Sequence, residues 1–280
     1  MLFTSLVAAL CIHEPVVAMR QAPSVEAVVV STANYSEEVR IVEEQEQWIK
    51  IQTTVDSYEG WIPKKAIIQL FERPEQVVSV IRPSAHLYHV KDTEFGPRLT
   101  LPFESLLELV DASDDRWVTV RTIDGNLGYI QKGDVSLTPT KALTKDEMIA
   151  LSEQFLGLPY TWGGRSSFGY DCSGFVQMLY RQMQIYLPRD SKDQATWQGF
   201  KSVSQEELRP GDLIYWGLAE DKIRHAGLYL GSGEFIHASP RENKPYLRKS
   251  KLTDAEWNGT GTGKFPYAFR TFRTHASRSP

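Results

Sequence analysis

Alternation of apolar and polar positions dominates the first half of the chain. Trp48-Ile49-Lys50-Ile51 is followed, after a polar turn, by Tyr58-Glu59-Gly60-Trp61-Ile62, and Trp117-Val118-Thr119-Val120 is followed by Leu127-Gly128-Tyr129-Ile130. A period of two reads as a half-buried strand, and the glycine-aromatic-aliphatic return reads as its partner. The second unit repeats the first. β-rich stretches at 27–41 and 98–110 precede the two units, and the spacing of turns predicts two small all-β barrels, at 14–72 and 73–138. Pro15-Val16-Val17-Ala18-Met19-Arg20 reads as the first strand of the first barrel.

The texture changes after Thr138-Pro139-Thr140, the expected linker. Thr144-Lys145-Asp146-Glu147 offers a helix start, and Met148, Ile149, Leu151, Phe155 and Leu156 continue an amphipathic helix that Gly157 ends. A second helix begins at Cys172, with Phe175, Val176, Leu179 and Met183 on one face and Leu187-Pro188 as its stop. Three strands follow, at 213–216, 226–230 and 234–237, the last two joined by Gly231-Ser232-Gly233. Residues 139–280 therefore read as an α+β domain behind two all-β domains.

With 280 residues, 41% hydrophobic and 24% charged, the chain has the composition of an ordinary globular protein large enough for two or three domains. A formal net charge of −4 and the lack of a basic run argue against a nucleic-acid partner. No stretch reaches the roughly 18–20 apolar residues of a membrane span. The opening Met1-Leu2-Phe3-Thr4-Ser5-Leu6-Val7-Ala8-Ala9-Leu10-Cys11 looks like the apolar core of a signal peptide, without the basic residue that normally precedes one. Residues 1–13 are accordingly set apart from the first barrel. The expected location is the periplasm or cell envelope, with the cytoplasm as the alternative. Leu10 weighs against lipidation of Cys11, because the preceding residue is normally small. With only Cys11 and Cys172 in the chain, a disulfide framework and a four-sulfur metal site are both excluded.

Cys172 lies in Tyr170-Asp171-Cys172-Ser173-Gly174-Phe175, at the head of the second helix. Unpaired backbone N–H groups and the positive end of the dipole favour a thiolate there and predict a lowered pKa. A cysteine nucleophile needs a base and a group that orients the base. His225 opens one predicted strand and His237 ends the next, 12 positions later, so a hairpin would bring the two imidazoles together. His225 is the candidate general base and His237 the candidate orienting group. A zinc site of Cys172, His225 and His237 is the rival, disfavoured because no compact ligand spacing and no further cysteine accompanies them. His13, His86, His89 and His275 read as surface residues.

With these residues in place, the stretch 145–274 resembles the NlpC/P60 family of cell-wall cysteine peptidases. The motifs are Pro159-Tyr160-Thr161-Trp162-Gly163-Gly164, Asp171-Cys172-Ser173-Gly174-Phe175, Leu187-Pro188-Arg189-Asp190-Ser191, Arg209-Pro210-Gly211-Asp212-Leu213, and His225-Ala226-Gly227-Leu228-Tyr229-Leu230-Gly231 through Ile236-His237-Ala238-Ser239, in that order. The strand units of the first half resemble bacterial SH3-like domains. The resemblance implies a papain-like α+β catalytic fold, with Cys172 as nucleophile, His225 as base and His237 as third polar residue. It also implies that Tyr160 and the Cys172 backbone N–H stabilise the oxyanion, and that no metal or cofactor is required.

Members with two N-terminal SH3-like domains cut the γ-D-glutamyl-meso-diaminopimelate amide of peptidoglycan stem peptides that carry a free L-alanine, and the chain resembles them over nearly its whole length. That likeness implies a cap for the terminal amine made by Tyr58 and Glu26, with Glu37 or Glu38 in place of Glu26 as alternatives. It also implies that Asp171 faces the amine and that Ser173 and Ser191 contact the peptide. An acidic residue suits the role, since a desolvated ammonium needs a carboxylate partner. Tyr58 could instead be a packing aromatic of the barrel, and Ser191 an N-cap of a helix starting near Lys192. Two other functions stay open: hydrolysis of another wall amide, at a crosslink or D-alanine, and a non-catalytic murein-binding SH3 module. The intact Cys172, His225 and His237 set stands against the second.

Overall fold

Strand pairing in the computed structural model begins earlier than the sequence pattern predicts. The structure describes residues 9–70, 73–138, 141–241, 243–260 and 267–276, so residues 1–8 of the apolar segment and Pro139 and Thr140 of the expected linker lie outside it. Within it, β1 (Ala9–Ile12) is not a segment apart from the first barrel. It pairs antiparallel with β4 (Glu38–Glu44) and with β7 (Ile67–Leu70). The apolar character of Leu10, Cys11 and Ile12 is explained by burial, with Cys11 and Ile12 fully inside. Between these strands run β2 (Val16–Arg20), β3 (Val29–Asn34), β5 (Trp48–Thr53) and β6 (Glu59–Pro63), giving the order β3-β2-β6-β5-β4-β1-β7.

The second sheet comprises β8 (Val77–Val80), β9 (Ser84–Tyr88), β10 (Leu99–Pro102), β11 (Leu106–Asp111), β12 (Trp117–Arg121), β13 (Leu127–Gln131) and β14 (Val135–Ser136), in the order β10-β9-β13-β12-β11-β8-β14. Position for position this is the order of the first sheet, so the sequence repeat is a topological repeat. The repeated glycine has a packing cause. A Cβ on Gly60 would stand 2.8 Å from Met19 Cβ, and one on Gly128 would stand 2.9 Å from Leu87 Cγ. In each sheet a core side chain crosses the strand where the motif has no side chain.

The two sheets share a fastening. Tyr35, just past β3, joins the core formed by Val78, Leu87, Leu101, Val118 and Ile130 of the second sheet. Its hydroxyl accepts from the backbone N–H of Ile123 at 2.8 Å, and burial pushes its pKa up to about 12. The described residues form two compact units: the first runs to Lys141 and includes 165–168, and the second takes 142–164 and everything from Gly169. β15 (Arg165–Ser166) therefore goes with the first unit and β16 (Gly169–Tyr170) with the second.

In the second unit, α1 (Lys145–Glu153) opens on a complete capping box between Thr144 and Glu147. It stops short of the predicted Leu156 because Phe155 turns inward to pack edge-on against Tyr170 and Phe175, at 5.8 and 6.2 Å. α2 (Cys172–Gln182) ends before Leu187, at a turn where Gln184 takes a positive φ. α3 (Ser191–Ala195) is a single short turn of helix. The sheet has six antiparallel strands in place of the predicted three: β17 (Phe200–Val203), β18 (Leu213–Gly217), β19 (Ile223–Gly231), β20 (Glu234–Ser239), β21 (Tyr246–Lys251) and β22 (Phe269–His275), ordered β17-β22-β18-β19-β20-β21. β17 and β21 are edges and carry the lysines that edges favour, which hides them from a search for apolar alternation. β22 is interior, yet its Arg270 and Arg273 donate to the carbonyls of Leu252 and Ala195, so its polarity misleads as well. Among the described residues, no helix is long and apolar enough to cross a membrane.

Gly60→Ala is expected to lower the unfolding free energy by about 1–3 kcal/mol, because Met19 Cβ has no room to retreat. Chemical denaturation measures it, and an unchanged midpoint would contradict the packing account.

Candidate active site

α2 starts where its first turn can be capped. The Asp171 carboxylate accepts from the Gly174 N–H at 2.7 Å, and Cys172 is the first helical residue behind that cap. Asp171 is itself gripped by buried Arg189, whose Nη2 donates to Oδ2 at 2.5 Å and whose Nη1 donates to Oδ1 at 3.2 Å and to Ser173 Oγ at 3.0 Å. Ser173 in turn donates to Asp171 Oδ1 at 3.2 Å. The helix start is thus fixed by an ion pair that touches the residues on both sides of Cys172.

Cys172 is buried beside β19, where its sulfur is hydrogen-bonded by the backbone of Ala226 and of Ser173. Ala226 follows His225 in the same strand. On its own strand His225 lies opposite Trp216 of β18, and its Nε2 meets His237 Nδ1 of β20 at 2.8 Å. His237 Nε2 then meets Ser250 Oγ of β21 at 3.0 Å. Three neighbouring strands therefore supply one hydrogen-bonded row. Around it stand Trp257, 4.8 Å from His225 and 4.6 Å from His237, and Tyr267, stacked on His225 at 6.0 Å with the ring planes 15° apart.

This enclosure overturns the expected thiolate. Burial is the largest effect on Cys172 and pushes the thiol up to about 12, with the Asp171 charge adding to it. Backbone donors and Arg189 pull the other way and are outweighed. Burial likewise holds His225 and His237 well below the usual histidine range; Arg241 and Arg248 push both in the same direction, and His225 adds to the effect on His237. The helix-terminus argument assumed a partly solvated sulfur, and here desolvation wins. At neutral pH the resting site holds a neutral thiol and neutral imidazoles.

The remaining predicted residues divide between the units. Tyr160 lies in the second, half-buried and close enough to Cys172 and Asp171 for their charges, after burial itself, to raise its pKa. Its hydroxyl stays a donor. Ser191 is the first residue of α3, and the N-cap is Asp190. Tyr58 and Glu26 belong to the first unit. Tyr58 packs on the first core, while Glu26 is exposed. Of the alternatives, Glu37 pairs with Arg165 at 2.7 Å and Glu38 with Arg73 at 2.7 Å. Among the described residues, no group of three His, Cys, Asp or Glu side chains is arranged to hold a metal ion.

The NlpC/P60 family model matches residues 157–260, and the bacterial SH3 domain model matches residues 15–67. A gamma-D-glutamyl-L-lysine dipeptidyl-peptidase of Bacillus subtilis (strain 168) is 31% identical over 220 residues, which are 75% of this chain and 72% of that protein. The chain belongs to the NlpC/P60 family. It is a cysteine peptidase. The namesake of that relative in Bacillus cereus (strain ATCC 10987 / NRS 248) is 33% identical over 227 residues, 74% of this chain and 66% of the relative. The crystal structure of an NlpC/P60 family protein from Bacillus cereus ATCC 10987 superposes with a TM-score of 0.77 and 24% identity, covering 89% of this chain and 96% of that one, a likeness of fold.

Three residues of this peptidase's site escaped the sequence reading. Ser250 sits on the unrecognised edge strand β21, and Trp257 in a polar stretch after it. Arg189 was visible only as part of a motif, because its partner Asp171 lies 18 positions earlier in the chain. Arg189→Met is expected to destabilise the second unit by about 3–5 kcal/mol by leaving Asp171 buried and unpaired; a neutral effect on denaturation would contradict that. Because the thiol lies far above neutral, iodoacetamide alkylation of Cys172 should climb about tenfold per pH unit from pH 7 to 10. Peptide mass mapping separates it from Cys11, and a plateau near pH 7 would mean a thiolate after all.

Proposed function

We propose that this peptidase hydrolyses the γ-D-glutamyl-meso-diaminopimelate amide in peptidoglycan stem peptides that end in a free L-alanine. The observation that carries the reading is the 2.8 Å contact of His225 Nε2 with His237 Nδ1 on the strand that also hydrogen-bonds the Cys172 sulfur. With Nε2 engaged, Nδ1 is the ring nitrogen left to take the thiol proton. Sγ attacks the amide carbonyl as His225 accepts that proton, and a new C–S bond forms. Tyr160 and the Cys172 N–H stabilise the oxyanion. As the C–N bond breaks, His225 returns the proton to the leaving amine, and water then hydrolyses the thioester. Concerted transfer suits a thiol that is neutral at rest.

Peptidoglycan as substrate class is supported by the name of one relative, a murein DD-endopeptidase of Escherichia coli (strain K12). The second sheet, identical in strand order to the SH3-matched first, is read as a second SH3-like domain, and the catalytic unit as papain-like. Glu26 and Tyr58 are proposed to hold the alanine amine, with Asp171, Ser173 and Ser191 lining the acyl side. Pairing with Arg189 leaves Asp171 an acceptor within a neutral ion pair. A second reading places L-lysine at the leaving position, as in the name of the two Bacillus relatives.

Mass spectrometry of digests of L-Ala-γ-D-Glu peptides carrying either diamino acid is expected to show the L-Ala-D-Glu dipeptide, with the better leaving residue identified by rate. Cys172→Ala should abolish it, by roughly 10⁴-fold or more. Dipeptide release by that variant would sink the mechanism, and other fragments from the unmodified enzyme would sink the bond assignment.

A further inference from the structure

His237 is fully buried, so each of its ring nitrogens needs a partner inside the protein. Nδ1 has His225 Nε2, at 2.8 Å. For Nε2 the neighbours differ in what they can accept. The rings of Phe235 and Trp257, centred 4.8 and 4.6 Å from that of His237, carry no acceptor atom. Arg248 stands directly opposite His237 in the β20–β21 register, and a guanidinium only donates. Its Nη1 is engaged by the carbonyls of Lys244 and Ser239, at 2.9 and 3.1 Å. Two positions along β21 and on the same face, Ser250 lies opposite Phe235 and so diagonal to His237. Its Oγ is 3.0 Å from His237 Nε2.

A hydroxyl both donates and accepts, and its role at this end of the row sets the position of every proton in it. Ser250 is half-buried on an edge strand, so its O–H can turn to solvent while Oγ accepts from His237 Nε2–H. His237 Nδ1 then accepts from His225 Nε2–H, and His225 Nδ1 keeps its lone pair. If Oγ donated instead, both imidazoles would carry their proton on Nδ1, and on His225 that is where the thiol proton has to go. We propose that Ser250 is a positioning residue of the base, whose Oγ selects the working order of the row. The assignment rests on the Cys172–His225 mechanism above and adds to it a residue that acts through His237.

The groups around the pair give that acceptor a second use. Arg241 and Arg248, both cations, act on both imidazoles, and Tyr267, stacked on His225, stays neutral with its pKa pushed up to about 12 by burial. These neighbours do not favour the positive charge that His225 acquires with the thiol proton. An acceptor at the far end of the row does, since a hydrogen bond from a charged donor is stronger than one from a neutral donor.

The test compares Ser250→Thr with Ser250→Val, two β-branched residues of one shape that differ in the hydroxyl. On L-Ala-γ-D-Glu-meso-diaminopimelate, Ser250→Val is expected to lose roughly tenfold in kcat with KM within about twofold, and Ser250→Thr to stay within about threefold of the unmodified enzyme. At pH 7 the side-chain ¹⁵N shifts of Ser250→Thr should show His237 protonated on Nε2, whereas Ser250→Val should show a populated Nδ1–H form. A merely structural loss would leave that tautomer unmoved. Equal kcat in the two variants, or the same His237 tautomer in both, overturns the assignment. If the unmodified enzyme cleaves no such peptide, the γ-D-glutamyl reading fails, and the nitrogen shifts alone decide for or against Ser250.

Discussion

Contact between His225 Nε2 and His237 Nδ1, inside a wall of Trp216, Trp257, Tyr267 and Phe235, is the interaction on which the second unit's arrangement depends. A buried imidazole that must act as a base has to be kept neutral and held in one tautomer. Burial does the first. The row from His225 through His237 to Ser250 links the donors in a single order, and only one of its two directions leaves His225 Nδ1 with a lone pair. A working base requires the order in which Nε2–H of His225 donates to His237 Nδ1 and Nε2–H of His237 donates to Ser250 Oγ. The same enclosure that sets up the base raises the thiol, so nucleophile and base wait uncharged until an amide carbonyl arrives.

Much of this was legible in the sequence because it is carried by local pattern. The capping box at Thr144 and Glu147, the hairpin through Ser232 and Gly233, and the two glycine-aromatic strand returns all follow from residues close to one another in the chain. The His225–His237 pairing was readable for the same reason, since a hairpin is a local structure. The repeat of the two all-β segments was equally plain, and their shared strand order shows how faithfully the motif encodes topology.

What was hidden depends on distant contacts. Ser250 and Arg248 reach the site from an edge strand whose lysines mask it, and Trp257 arrives from a loop that looks polar. The thiol's raised pKa was missed because a helix terminus is visible in sequence and desolvation is not. In the first unit, Ala9–Ile12 looked like part of a leading apolar segment, yet its residues pair with both β4 and β7. Tyr35 likewise gave no sign of entering the core of the following sheet.

The central claim concerns where the protons lie, and ¹⁵N chemical shifts of the histidine side chains read that directly. At pH 7, the account predicts that His225 and His237 are both neutral Nε2–H tautomers, each with an unprotonated Nδ1. A proton on His225 Nδ1, or an imidazolium at either position, would contradict it.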